Sequence, residues 1–168
     1  DLPGWANTAI GDSLSELHHL DERIDEYDRH IEVMAKADDR GCKLMEMPGI
    51  GAKTASALLA SIGNGHDFKC GRQLAAWLGL VPGQYSSGGK QRLGRITKAG
   101  DSYLRTLLIL GARAVVAAGK NKTDRLSRWA QSVAERRGYW KAVVAVAAKN
   151  ARMAWAMLSK GQAFKPLT

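Results

Sequence analysis

Met47-Pro48-Gly49-Ile50-Gly51-Ala52-Lys53-Thr54-Ala55-Ser56-Ala57-Leu58-Leu59-Ala60-Ser61-Ile62 reads as a glycine turn that opens into a helix. Pro48 and the two glycines interrupt the chain, because proline lacks an amide hydrogen and glycine reaches backbone angles that other residues avoid. From Ala52 onward, Ala55, Leu58, Leu59 and Ile62 recur at helical spacing and are expected to face inward. Such a turn aims the unpaired amides of the next helix toward an anion, and Lys53 lies within reach to add charge. A phosphate held by Gly49, Gly51 and Lys53 would be gripped through its backbone, independently of nucleotide sequence. An ordinary corner between two helices uses the same residue types.

The stretch around residues 42–62 resembles the helix-hairpin-helix DNA-binding element, with a short helix over Cys42–Met47 in front of the turn. Further upstream, from about Asp12 to Asp38, there is neither proline nor glycine. Leu17, Leu20, Ile24, Tyr27, Ile31 and Met34 alternate at spacings of three and four, the seam of a coiled coil. Asp12 or Ser13 is expected to cap this helix, which at 1.5 Å per residue would run roughly 40 Å, and Gly41 to end it. Fewer than four heptads is short for a free dimer, so packing against another domain competes with self-association through residues 14–34.

Downstream, Gly63-Asn64-Gly65 breaks the second helix, and Arg72–Leu80 forms a shorter one around Leu74, Trp77 and Leu78. Val81–Gly100 turns to Gly, Ser and basic residues, an irregular loop or short hairpin. Helices then return over about Asp101–Ala118, Thr123–Arg136 and Tyr139–Lys160. The expected fold is mainly α, with an acidic coiled-coil helix over 1–40 and a basic helical domain over 41–168. No apolar run approaches the ~20 residues of a membrane span, and no membrane partner is expected. The opening Asp1-Leu2-Pro3-Gly4-Trp5 looks like the edge of a segment from a longer protein.

Charge divides along the same line. Residues 1–40 carry 11 Asp or Glu against 4 Lys or Arg, which is −7; residues 41–168 carry 5 against 21, which is +16, and the sum is +9. A body that basic favours a polyanion through counterion release, with nucleic acid the commonest such partner. Cys42 and Cys70 stand apart and outside any CxxC spacing, which points to reduced thiols rather than a disulfide or zinc framework.

Tyr85-Ser86-Ser87-Gly88-Gly89-Lys90-Gln91-Arg92-Leu93-Gly94-Arg95-Ile96-Thr97-Lys98 concentrates hydroxyls, glycines and cations. Such a loop can hold a phosphodiester while the hydroxyl of one of its two serines attacks phosphorus, and Lys90, Arg92, Arg95 and Lys98 stabilise the charge building on its oxygens. On residue types alone, Ser-Ser-Gly-Gly is mostly turn chemistry. The histidines point to no Ser-His-Asp arrangement, and the carboxylates of the basic body, Glu46, Asp67, Asp101, Asp124 and Glu135, are too scattered for a self-contained magnesium site. Tyr139–Leu158 reads as buried packing, with base stacking by Trp140 or Trp155 the lesser alternative.

Taken in order, Pro48-Gly49-Ile50-Gly51, Leu74-Ala75-Ala76-Trp77-Leu78-Gly79-Leu80-Val81-Pro82, Ser87-Gly88-Gly89-Lys90, Ile96-Thr97-Lys98-Ala99-Gly100-Asp101, Leu104-Arg105 and Lys149-Asn150-Ala151-Arg152-Met153-Ala154-Trp155 resemble the C-terminal domain of the insertion-sequence-110 family of transposases, including its 1111 subgroup. The acidic heptad helix resembles that family's coiled coil. The resemblance implies a DNA strand-cleaving and strand-joining enzyme with DNA and a guide (bridge) RNA as partners. It also implies a bacterial cytoplasmic location. It carries the nucleophile to Ser87, with Ser86 as the alternative; in such an enzyme Arg92, Arg95, Lys98 and Arg105 would position or neutralise phosphate. It also implies a RuvC-like domain with a DEDD carboxylate set holding Mg2+. Those carboxylates are absent from this stretch, so no cofactor is expected within it.

Overall fold

The structure, a computed structural model, describes residues 3–85 and 92–165. Among these residues the architecture is mainly α. Helices α1 (Gly4–Ala37), α2 (Asp39–Met45), α3 (Ala52–Ile62) and α4 (Gly71–Trp77) precede a two-stranded antiparallel ribbon, β1 (Pro82–Gln84) and β2 (Leu93–Ile96). Then come α5 (Ser102–Ala118), α6 (Arg125–Arg137) and α7 (Tyr139–Lys160). The loop-or-hairpin expectation for 81–100 resolves as this ribbon, with Pro82 opposite Ile96 and Gln84 opposite Leu93.

The core is organised around α7. Its buried face, Ala142, Val143, Val146, Ala147, Asn150, Ala151, Ala154, Met157 and Leu158, packs against α4, α5 and α6. The alanines let neighbouring helices come close, and Leu74, Leu78, Leu104 and Leu108 fill the space between them. Trp155 belongs to this packing: its indole Nε1 donates to the carbonyls of Gly65 and Phe68, both at 3.0 Å. That takes it out of consideration as a free stacking surface. Trp77, expected inward, is instead exposed at the rim, edge-to-face with Phe68 at 5.5 Å.

Two expectations are corrected. The long helix starts at Gly4, after Pro3, and not at Asp12 or Ser13; Ser13 Oγ donates back to the Ala9 carbonyl at 2.8 Å inside the helix. Gly11, just ahead of them, is a single exposed glycine within the helix that costs it only about 1 kcal/mol relative to alanine. At 34 residues, α1 is about 50 Å long. Its end is set by Asp38, not Gly41: Asp38 leaves the helical region and accepts the Arg40 amide at 2.8 Å to cap α2. Arg40 beside it holds the Asp38 carboxyl down to about 2. Gly41 sits inside α2 because any side chain there would run into the Ala35 carbonyl.

Helix α5 leaves the expectation of no membrane span in place. By length and composition alone, Ser102–Asn121 could cross a membrane. Here it is a core helix, with Leu104, Leu108, Ala112, Val115 and Val116 buried and Arg105 and Arg113 on its other faces. The run escapes a simple count of apolar residues because those two arginines interrupt it.

Candidate nucleic-acid interface

The corner between α2 and α3 is clamped from two sides. Gly49 has φ 83°, and a Cβ on it would stand 2.7 Å from the Gly111 carbonyl oxygen of α5. A Cβ on Gly111 would in turn collide with the Gly49 carbonyl. From α7, Asn150 Nδ2 donates to the Pro48 carbonyl at 2.9 Å, 102 residues away in sequence. The other amide atom of Asn150, Oδ1, is buried without a partner. So Gly49 shapes the turn by close packing and does not face outward. Gly51 does: it is exposed, extended, and has open space where a Cβ would go. Helix α3 begins with no side-chain cap and no acidic residue in its first turn, so among the described residues its first amides have no side-chain partner.

Lys53 is already engaged. Its ammonium lies 2.6 Å from Asp28 Oδ2 on α1, and that hydrogen bond raises its pKa above the ordinary lysine value. Asp25, Asp28 and Glu32 line a cleft of about 600 Å3 together with Gly51, Ala52 and Lys53. Carboxylates of the acidic helix therefore stand where a phosphate was expected. Replacing Asp28 with asparagine should strengthen nucleic-acid binding severalfold at low salt and little at high salt, because an exposed pair is screened. Fluorescence anisotropy across a salt series checks this; unchanged affinity at every salt concentration would mean that Lys53 takes no part in binding.

The ribbon supplies the second patch. The Tyr85 amide donates to the Arg92 carbonyl at 2.9 Å, the last described pair before residues 86–91. Arg92 and Arg95 are exposed, and so is Lys98, which takes the left-handed φ of 55° that only glycine adopts without cost. Its amide donates to the Gly79 carbonyl at 3.2 Å. Among the described residues no carboxylate lies within ion-pair distance of Arg92, Arg95 or Lys98. Ser86, Ser87 and Lys90 fall outside the described residues.

Arg105 has a different environment from the ribbon cations. Its Nη1 donates to the carbonyls of Ala99 at 3.0 Å, Leu78 at 3.2 Å and Asp101 at 3.5 Å, which ties the exit of the ribbon to α4. Gly100 permits that approach, since a Cβ there would meet the Trp77 carbonyl. Helix α5 touches both patches: Gly111 packs on the Gly49 turn, and Arg105 in its first turn holds the ribbon.

Three features that shape this surface escaped sequence reasoning: Gly111, Asp28 and the link from Asn150 to Pro48. Only Asn150 left a local signal, as an amide inside an otherwise apolar helix face. Among the described residues, no three His, Cys, Asp or Glu side chains come together to hold a metal.

Comparison with known proteins bears on the identity of the chain. Residues 42–128, just over half of it, match the model of the transposase IS116/IS110/IS902 family. The chain is 48% identical over 165 residues to a probable family 20 transposase of Pseudomonas aeruginosa, covering 98% of this chain and 49% of that protein. It is 44% identical over 151 residues to the transposase for insertion sequence element IS1111A of Coxiella burnetii, covering 90% and 42%. It is 36% identical over 155 residues to the transposase for insertion sequence element IS1328 of Yersinia enterocolitica, covering 90% and 46%. The chain spans about half the length of the curated relatives it matches. Matched through the α2–α3 corner, the ribbon and the α5 core, and by relatives along nearly its whole length, the chain belongs to the IS116/IS110/IS902 family of transposases.

Proposed function

We propose that this domain grips DNA phosphates between the start of α3 and the β-ribbon and presents Ser87 as the nucleophile of a transposase. The observation that carries this reading is the ribbon, whose exposed Arg92, Arg95 and Lys98 have no acidic partner among the described residues. Helix α5 joins it to the corner before the uncapped start of α3, through Arg105 at the ribbon and Gly111 at the turn. In this reading α2, the clamped turn and α3 act as a helix-hairpin-helix element, holding the phosphate backbone without reading bases.

The chemistry is a transesterification. Ser87 Oγ, or Ser86 Oγ in its place, bonds to phosphorus, one P–O ester bond of the strand breaks, and the serine proton ends on the released DNA hydroxyl. The phosphoserine conserves the energy of the broken ester for rejoining. Arg92, Arg95 and Lys98 stabilise the charge that builds on the phosphoryl oxygens, and Arg105 positions them by fixing the base of the ribbon. A guide RNA is a second partner, and Mg2+ belongs to the RuvC-like domain of the full-length protein. Without that domain, the chain binds nucleic acid but does not recombine it.

Binding tests the grip directly. Replacing Arg92, Arg95 and Lys98 together by alanine should flatten the slope of log affinity against log salt by roughly one unit for each phosphate no longer neutralised. The weakening should be the same for unrelated DNA sequences. A slope that does not change would remove the ribbon from the interface.

The exposed stripe of α1 supports a further reading, self-association through residues 14–34. Leu17, Leu20, Ile24, Tyr27 and Met34 are all exposed, and only the C-terminal part of α1 packs on α2 and α3. An apolar seam of that length left in water favours a second copy. Leu20→Glu with Ile24→Glu should convert the chain to a monomer in sedimentation equilibrium; association that persists would place the interface elsewhere.

A further inference from the structure

The corner joining α6 to α7 carries a feature that the fold does not use. Gly138, at φ 90°, ends α6 and begins α7, and the next two residues are Tyr139 and Trp140. Trp140 is 62% exposed and Tyr139 40% exposed. Their rings meet edge-to-face at 5.3 Å, and the Arg113 guanidinium of α5 lies over the Trp140 ring at 5.6 Å. Burying an indole is among the larger gains available to a small domain, on the order of 25 cal/mol for each Å2 of apolar surface. The buried face of α7 starts only at Ala142 and Val143, so Trp140 stands off the core. Trp155, the other tryptophan of this helix, has both a core position and hydrogen-bond partners.

The surroundings of Trp140 are cationic. Arg136 and Arg137 form the last turn of α6, Lys141 follows in the first turn of α7, and Arg113 reaches across from α5. No acidic side chain occupies the first turn of α7, and Glu135 is the nearest carboxylate in sequence. Arg136 lies back along α6, its Nε donating to the Ser132 carbonyl at 3.1 Å, while Arg137 and Lys141 are exposed. A protein partner seated on an exposed indole would meet four cations with little to neutralise them. A nucleic-acid strand brings a base face for the ring and phosphates for the cations. In a duplex both faces of each base are covered by neighbours, so only an unpaired, unstacked base fits.

We propose that Trp140, with Tyr139 and Arg113, is a stacking platform for a base of single-stranded nucleic acid, its flanking phosphates held by Arg137 and Lys141. Arg113 lies eight residues from Arg105, about 12 Å along α5. The platform is therefore a separate site from the ribbon, and the grip proposed there stands or falls independently.

The experiment compares the full chain with Trp140→Ala and Trp140→Phe by fluorescence anisotropy, using labelled deoxythymidine and uridine homopolymers and a DNA duplex. Trp140→Ala should weaken single-strand binding about tenfold, as expected for loss of one aromatic stack, and Trp140→Phe should restore most of it. Duplex affinity should stay within about twofold of wild type. A larger loss with the uridine strand identifies RNA as the ligand, and a larger loss with the thymidine strand identifies DNA. Crosslinking of an iodouracil-bearing strand to Trp140, mapped by peptide mass spectrometry, detects the base against the ring without any mutation. Equal losses on single strand and duplex, or no loss with no crosslink at Trp140, would overturn the platform.

Discussion

Gly111→Ala should destabilise this domain by about 3 kcal/mol or more, although alanine favours a helix interior over glycine by about 1 kcal/mol. The added methyl group would occupy the space of the Gly49 carbonyl oxygen, which is backbone and cannot rotate away. To admit it, the turn must move off α5. That shift strains the Asn150–Pro48 hydrogen bond and loosens Met47 and Ile50, both buried in the core. For a chain of 168 residues such a loss lowers the melting temperature by roughly 6–12 °C. Gly51→Ala, two residues beyond Gly49 in the same corner, should cost about 1 kcal/mol or less, because its Cβ meets nothing within 4 Å. Thermal unfolding of the two variants side by side checks the clamp. A Gly111→Ala protein that melts at or above the wild-type temperature would show that the turn is not held in this way.

How much of this was legible follows from the range over which each signal acts. The helices from Ala52 onward and the seam of α1 announce themselves because their apolar residues repeat every three or four positions. The basic ribbon announces itself by composition. Local pattern misled where a glycine had more than one use. Gly11 is simply tolerated in an exposed helix, and Gly41 serves close packing against Ala35, while the break near it belongs to Asp38. Pairings between distant segments left no local trace. Asp28 meets Lys53 across 25 residues, and Gly49 meets Gly111 across 62. Arg105 was legible as a cation but not as the pin of the ribbon, since its partners are carbonyls that any residue carries. Ser87, the nucleophile proposed above, lies outside the described residues and rests on the sequence motif.

Ser87→Ala, made in a full-length transposase that carries this domain, should abolish strand exchange, a fall of roughly a thousandfold or more, while leaving DNA affinity near wild type. The split between the two readouts is the informative part. In the proposed mechanism the hydroxyl forms the phosphoester, whereas the grip is assigned to Lys53, Arg92, Arg95 and Lys98. Ser86→Ala should leave exchange largely intact. If instead Ser86→Ala abolishes exchange and Ser87→Ala does not, the nucleophile is the neighbouring serine and the rest of the mechanism stands.

The most direct measurement is to trap the covalent intermediate. A full-length protein with its RNA and a nicked suicide DNA substrate would be stopped during reaction, and the attachment site mapped by peptide mass spectrometry. The mechanism predicts a DNA phosphate on Ser87. A reaction that still recombines DNA, with no adduct on either Ser87 or Ser86, would contradict it and leave this domain as a clamp for chemistry done elsewhere.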